Sequence, residues 1–205
     1  VVQGVKLVFT RTKPVDLDGK VAWLFVLSAL PAAAVGAVAE DVIDEKLGTP
    51  GMIATSLIVF GLLLLWADRR RGARAVESLE VADALKIGAA QIIALNPGTS
   101  RSGITMTAAR LLGFSRDAAA RVSFLMAIPV TAGAVLLKLA KLASDGVPEG
   151  LMTPMIVGVV AAAISGWVAV WGTLRLVRTR SFAPFVLYRI ELAILVYALM
   201  IARIR

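Results

Sequence analysis

Cysteine and histidine are both absent from this 205-residue sequence. The first absence excludes disulfides and thiolate metal sites, and the second excludes imidazole as base, nucleophile or metal ligand. Any catalysis therefore falls to carboxylates, hydroxyls, arginine or lysine. Charge is scarce as well, at 18% of residues against 59% hydrophobic, which excludes an ordinary water-soluble domain and marks an integral membrane protein. The opening residues form no secretory signal pattern. The chain starts without methionine at "VVQGVKLVF", which reads as the last turns of a hydrophobic helix more readily than as a short interfacial helix. The expectation is a single membrane domain over residues 1–205, truncated at its N-terminus.

The charge that is there sums to +8. It suits loops beside anionic lipid headgroups and favours an anionic substrate. The basic residues punctuate apolar spans instead of forming one basic domain, so no nucleic-acid partner is expected. A bilayer core about 30 Å thick needs roughly 20 apolar residues of helix. Stretches that approach this are Val21 to Ala39, Met52 to Ala67, Val122 to Leu137, Leu151 to Leu174 and Phe182 to Ala202. The fold class predicted is an all-α, multi-span helix bundle. Pro129 and Gly133 should bend the third span, and Gly158 and Gly166 offer close-packing points in the fourth. Lys and Arg concentrate in "TRTKPVDLDGK", "DRRRGAR" and "RLVRTR", which places those segments on the cytoplasmic side.

The region from about Leu85 to Gly113 does not fit one span. Asn96-Pro97-Gly98 breaks a helix, and the apolar pattern resumes only after Gly103. Two half-length helices around a polar loop make a re-entrant hairpin, and irregular backbone at membrane depth usually marks a site. In "NPGTSRSG", Gly98 and Gly103 permit close backbone approach, and Ser100 or Ser102 can cap the following helix. The free amides and positive dipole end of a helix beginning near Ser102 attract an anion. Arg101 adds a planar fork that matches phosphate oxygens, and Thr99, Ser100 and Ser102 add hydroxyl donors. The same residues also suit a plain Pro-Gly turn with Arg101 reaching to the interface. Spacing alone does not choose between them.

Three ordered motifs carry a resemblance: "LNPGTSRSG", "SFLMAIPVTAGA" at Ser123 to Ala134, and "PFVLYRI" at Pro184 to Ile190. Together they resemble the bacterial undecaprenyl-pyrophosphate phosphatases of the bacitracin-resistance type. The match runs over essentially the whole chain, most specific in the loop and weakest over Val1 to Gly51. It implies a multi-pass enzyme of the bacterial plasma membrane that removes the terminal phosphate of undecaprenyl pyrophosphate, recycling the lipid carrier for wall polymers. It also implies an inverted repeat with two re-entrant hairpins. The family's N-terminal pair of glutamates and its Pro-x-Ser-Ser-Thr-x-His loop have no counterpart here. The nucleophile, base and metal-binding carboxylates would lie in that part, and a divalent cation, Mg or Ca, would take its ligands outside this sequence. What carries over is Ser100, Arg101 and Ser102 as catalytic residues of the pyrophosphate-binding half-site, with Gly98, Thr99 and Gly103 as substrate-binding residues. The expected partners are undecaprenyl pyrophosphate, the bilayer and a second copy of the chain in a homodimer.

Other polar residues carry weaker signals. Gln91 either reaches the loop or satisfies a neighbouring backbone group. "GFSRDAAAR" reads as a helix start, with Ser115 as cap, Asp117 in the first turn and Arg121 at the interface, which makes Arg110 and Arg116 structural before they are phosphate ligands. Arg189 and Glu191 are two apart on a helix, so each pairs elsewhere, and a structural role is favoured for both. The acidic run Glu40 to Gly48 is expected to be a solvated loop. Two other functions compete with the phosphatase: a transporter or anion-conducting protein, since broken helices serve transport too, and a noncatalytic remnant that binds lipid or a partner subunit.

Overall fold

The computed structural model describes residues 17–146 and 150–203. Among them the chain is all-α: α1 (Leu17–Leu47), α2 (Pro50–Asp68), a 3-10 turn (Val76–Ser78), α3 (Val81–Ile93), α4 (Arg101–Leu111), α5 (Arg116–Asp145), α6 (Met152–Thr179) and α7 (Ala183–Arg203). The opening stretch "VVQGVKLVF" and most of "TRTKPVDLDGK" lie outside the described residues. α2, α5, α6 and α7 are each long and apolar enough to cross a membrane, so the protein is multi-pass. The expected first span is a shorter apolar stretch, Val21–Gly36, inside the 31-residue α1.

Two expectations are corrected. The acidic run from Glu40 is not a loop, because α1 continues through Leu47. Its Glu40, Glu45, Lys46 and Leu47 favour helix, and breakers arrive only with Gly48 and Pro50. Gly158 and Gly166 do not serve as packing points against the described residues of the chain. A Cβ at either would meet nothing within 4 Å, and α6 buries only Val177. Its apolar face is turned away from the rest of the bundle.

α1 and α3 cross closely because Gly88 lets the helices touch backbone to backbone: a Cβ there would overlap the Ser28 carbonyl oxygen. Pro31 removes a donor from this stretch of α1, and buried Gln91 donates its Nε2 to that same Ser28 carbonyl at 3.1 Å. Gln91 therefore satisfies a neighbouring backbone group. Around this crossing Leu24, Phe25, Leu79, Ile87, Phe114 and Val122 form one apolar cluster. A second, with Leu64, Met106, Val177 and Phe182, gathers the C-terminal ends of α2 and α6 and the start of α7.

The helix ends beside these clusters are tied by a buried ionic knot. Asp68, at the last position of α2, accepts from the Arg116 Nε at 2.6 Å and from the Phe182 amide at 3.2 Å. Buried Arg110 lies beside it, with its Nε 3.7 Å from the carboxylate, and donates to the carbonyls of Asp68, Phe114 and Arg70. Ser115 caps α5 through the Ala118 amide, and Asp117 pairs with Arg121 and Arg178. Arg110 and Arg116 are therefore structural, as the sequence suggested. Nearby, burial pushes the Asp83 carboxyl up, but hydrogen bonds from Arg74 and the Glu80 amide outweigh it and hold the group below its ordinary range.

One carboxylate thus pairs with two guanidiniums and joins four elements. Removing its charge leaves Arg110 uncompensated in a dry site, which costs about 3 kcal/mol or more. Asp68→Asn is expected to lower stability by about that amount in SDS titration of the detergent-solubilised protein, while the conservative surface change Asp117→Asn costs under about 1 kcal/mol. Equal effects from the two would show that the knot is not where the ends are held.

Candidate active site

The connection between α3 and α4 is built from tight turns. The amides of Leu95 and Asn96 bond back to Ile92 and Ile93, and the Thr99 amide bonds to the Asn96 carbonyl. Gly98 stands at φ +85°, and a Cβ there would overlap the Ile53 carbonyl oxygen of α2. Only glycine fits both demands. Asn96 fixes the loop laterally, its Nδ2 donating to Ser56 Oγ at 2.9 Å and to Thr99 Oγ1 at 3.1 Å. Ser56 lies 12 residues before Asp68 (68 − 56), about 18 Å along α2. The loop is thus well inside the length of the bundle, far from the ionic knot.

Ser100 starts α4 as its N-cap, and its Oγ accepts from the Gly103 amide at 3.2 Å. Of the two serines read as candidate caps, it is Ser100 that caps, and the helix begins at Arg101. Ser100 has φ +69°, the single positive value among described non-glycine residues. A side chain held in this region stores strain of order 1–3 kcal/mol, and such strain gathers at functional sites. Ser100 and Arg101 are exposed and Ser102 half-buried, with the Ser100 and Ser102 hydroxyls 3.4 Å apart. Thr99, read as a further hydroxyl donor, is placed on the inward side: it is fully buried, and its Oγ1 takes the Asn96 hydrogen bond.

Two residues outside the loop hold it. Arg189 of α7 donates its Nη2 to the carbonyls of Gly98 and Thr99, both at 2.8 Å. Its Nη1 lies 2.8 Å from where a Gly103 Cβ would be, so Gly103 is glycine because a guanidinium occupies that space. Arg189 is only 7% exposed and, among the described residues, has no carboxylate partner and leaves its Nε buried without an acceptor. Beneath the first turn of α4, Thr105 and Ser123 share a buried hydroxyl contact of 2.7 Å, and Thr105 also donates to the carbonyls of Arg101 and Ser102. Glu191, expected to pair, is exposed and in no ion pair among the described residues.

The outward side of the ensemble is a helix N-terminus with the Arg101 guanidinium and the Ser100 and Ser102 hydroxyls, a set suited to an anion with several oxygens, and the buried Arg189 guanidinium lies beneath it. Its donor set does not fit a divalent cation, since guanidiniums and amides repel one and no carboxylate joins the loop. Among the described residues no group of three Asp, Glu, His or Cys side chains gathers anywhere.

The family model described as bacitracin resistance protein BacA matches residues 1–195. The chain belongs to that family. It is 44% identical over 185 residues to the undecaprenyl-diphosphatase of Elusimicrobium minutum, covering 90% of this chain and 70% of the relative. Identity to the undecaprenyl-diphosphatase of Geobacter metallireducens is 45% over 173 residues, 83% of this chain and 64% of the relative. The Geobacter sulfurreducens enzyme of the same name is 44% identical over 186 residues, 90% of this chain and 69% of the relative. The chain thus spans 64 to 70% of the length of these BacA-family relatives.

Each sequence motif delivers one contact to the same place. Loop Asn96 to Gly103 forms it, Ser123 opens the second motif and supports α4, and Arg189 is the charged residue of the third. Sequence reading favoured a paired, structural role for Arg189 over a catalytic one, and assigned no separate role to Asn96, Thr105 or Ser123. The signal for Arg189 was a lone cation inside an apolar span.

The cap at Ser100 yields a test by sign. Ser100→Ala loses the cap and keeps the positive φ, whereas Ser100→Gly loses the cap and relieves the strain. Ser100→Gly is expected to be the more stable by about 1–2 kcal/mol in SDS titration. The reverse order would mean that Ser100 does not hold this backbone conformation.

Proposed function

We infer that the protein is an undecaprenyl-diphosphatase: it hydrolyses the terminal phosphate of undecaprenyl pyrophosphate in the plasma membrane and returns undecaprenyl phosphate for wall synthesis. The observation that carries this reading is the meeting of three separated motifs at one loop, where an exposed Arg101 and the first amides of α4 face outward and a buried, carboxylate-free Arg189 lies beneath. A pyrophosphate offers the multiple charged oxygens that such a set recognises.

In the reaction a water oxygen bonds to the terminal phosphorus, the bridging P–O bond breaks, and the bridging oxygen leaves on the lipid monophosphate. Arg101 grips the phosphoryl oxygens in a planar two-point contact, and the α4 amides stabilise charge that grows toward the bridge. Arg189 acts through the loop: it fixes the Gly98 and Thr99 carbonyls and so aims the α4 N-terminus. Ser100 and Ser102 supply hydroxyl donors to the same phosphate. The loop is a clamp for charge, with no carboxylate or imidazole among the described residues placed to take a proton from its hydroxyls.

The reading includes a re-entrant hairpin. α3 has 13 residues and α4 has 11, about 20 and 16 Å of helix against a hydrocarbon core of about 30 Å. Both reach from the arginine-rich end and turn back at the loop, and that end is assigned to the cytoplasm. The homodimer foreseen from sequence has its candidate face in α6, which leaves its apolar residues uncovered.

In the full-length protein, Arg101→Lys is expected to lower kcat/KM for phosphate release from undecaprenyl pyrophosphate by about 10²-fold or more, because an ammonium keeps the charge but not the planar fork. The assay is inorganic phosphate release in detergent with Mg²⁺ or Ca²⁺ present. Near-normal turnover by folded Arg101→Lys protein would overturn the assignment of the loop. Solute flux in sealed vesicles without phosphate release would favour the transporter reading instead.

A further inference from the structure

The arginine-rich end carries more cation than its carboxylates use. Asp68, Asp83 and Asp117 take up Arg74, Arg110, Arg116, Arg121 and Arg178. Among the described residues Arg69, Arg70, Arg71, Arg175 and Arg180 remain exposed and in no ion pair, with Glu77 and Glu80 the exposed carboxylates on the same side. Five uncompensated guanidiniums face two acids.

Two of these arginines share a second feature. The Arg70 guanidinium lies over the Trp66 ring, 4.7 Å from its centroid, and that of Arg175 lies over Trp171 at 5.4 Å. Both pairs have i,i+4 spacing, so each arginine stacks one turn nearer the helix end than its tryptophan. Trp66 is 48% exposed and Trp171 52%. Each pair closes an apolar span, and the Leu64, Val177 and Phe182 cluster brings the two helix ends to the same end of the bundle.

We propose that these two arginine–tryptophan ladders are lateral binding sites for anionic phospholipid headgroups. Tryptophan belongs at the level where acyl chains meet the headgroup, and one helical turn further, about 6 Å, is where a guanidinium meets a lipid phosphate. Stacking on the ring fixes the plane of the guanidinium, so its remaining N–H donors are presented edge-on to the phosphodiester oxygens. A zwitterionic headgroup brings its own ammonium against five unpaired guanidiniums, whereas an anionic headgroup does not. The selectivity is therefore for net negative lipid. It is independent of the pyrophosphate loop, which lies far along α2 from this end.

The test uses the protein in phosphatidylcholine bilayers containing brominated phosphatidylglycerol or brominated phosphatidylcholine, which quench tryptophan by contact. A Trp23→Phe/Trp167→Phe background leaves Trp66 and Trp171 as the reporters. The expected result is a relative binding constant of about 5 or more for phosphatidylglycerol, as for a site gaining one well-placed basic contact. It should fall at about 0.5 M NaCl, where screening shortens to a few Å, and should approach 1 in Arg70→Gln/Arg175→Gln. Arg70→Lys/Arg175→Lys keeps the charge and should keep most of the preference, which guards against misfolding of the glutamine variant. A ratio near 1 in the unsubstituted arginine protein, or an unchanged ratio in Arg70→Gln/Arg175→Gln, overturns the proposal.

Discussion

Irregular backbone inside an apolar bundle leaves carbonyls that no helix partner reaches, and here a single guanidinium reaches two of them. Arg189 bonds to the carbonyls of Gly98 and Thr99. Left without that donor, each buried carbonyl would cost about 1–3 kcal/mol, enough to unmake a turn whose other restraints are neutral hydrogen bonds. The contact has a consequence for sequence. It occupies the space beside Gly103 and so excludes a side chain from the first turn of α4. It also brings a positive charge beneath a helix N-terminus, where the dipole already favours an anion. The loop is thereby stable only as an electropositive object.

The opposite end of the same helices solves a different problem. There the cations are many, and Asp68 pairs with two at once while accepting from the Phe182 amide just before α7. The two ends divide the work: one immobilises α2, α4, α5 and α7 as a frame, and the other uses that frame to hold a strained turn. Strain at Ser100 needs such support, because a residue at φ +69° relaxes unless its surroundings fix both neighbours. Thr99 on one side is fully buried, and Arg101 on the other has its carbonyl tied to Thr105.

What sequence alone could reveal followed from local grammar. Asn96-Pro97-Gly98 announces a break, Ser115 with Asp117 announces a helix start, and long apolar runs announce spans, since each depends on neighbours in the chain. The acidic segment from Glu40 was misread as a loop because its charge suggested solvent, while its helix-forming composition decided the backbone. Gly158 and Gly166 look like packing points in any apolar helix, and only the placement of α6 away from the bundle removes that role against the described residues of the chain itself. Arg189 was the harder case. It lies 90 residues from the Thr99 carbonyl it serves, and nothing at either position names the other. A lone arginine in a span signals a partner of opposite polarity, yet that partner is a backbone dipole, which leaves no trace in residue identity.

Rigid inside and free outside is the arrangement an anion site requires. Asn96, Thr99 and Arg189 spend their hydrogen bonds on the loop itself, whereas among the described residues the exposed Arg101 side chain and the Arg101 and Ser102 amides stay unspent. On the proposed reading, a clamp arranged this way would lose little freedom when a phosphate arrives, so more of the contact energy would remain for the transition state. The buried Nε of Arg189, without an acceptor, fits the same logic. A cation kept dry and uncompensated raises the local affinity for negative charge, and a carboxylate partner there would stabilise the fold by cancelling the field that the loop is built to project.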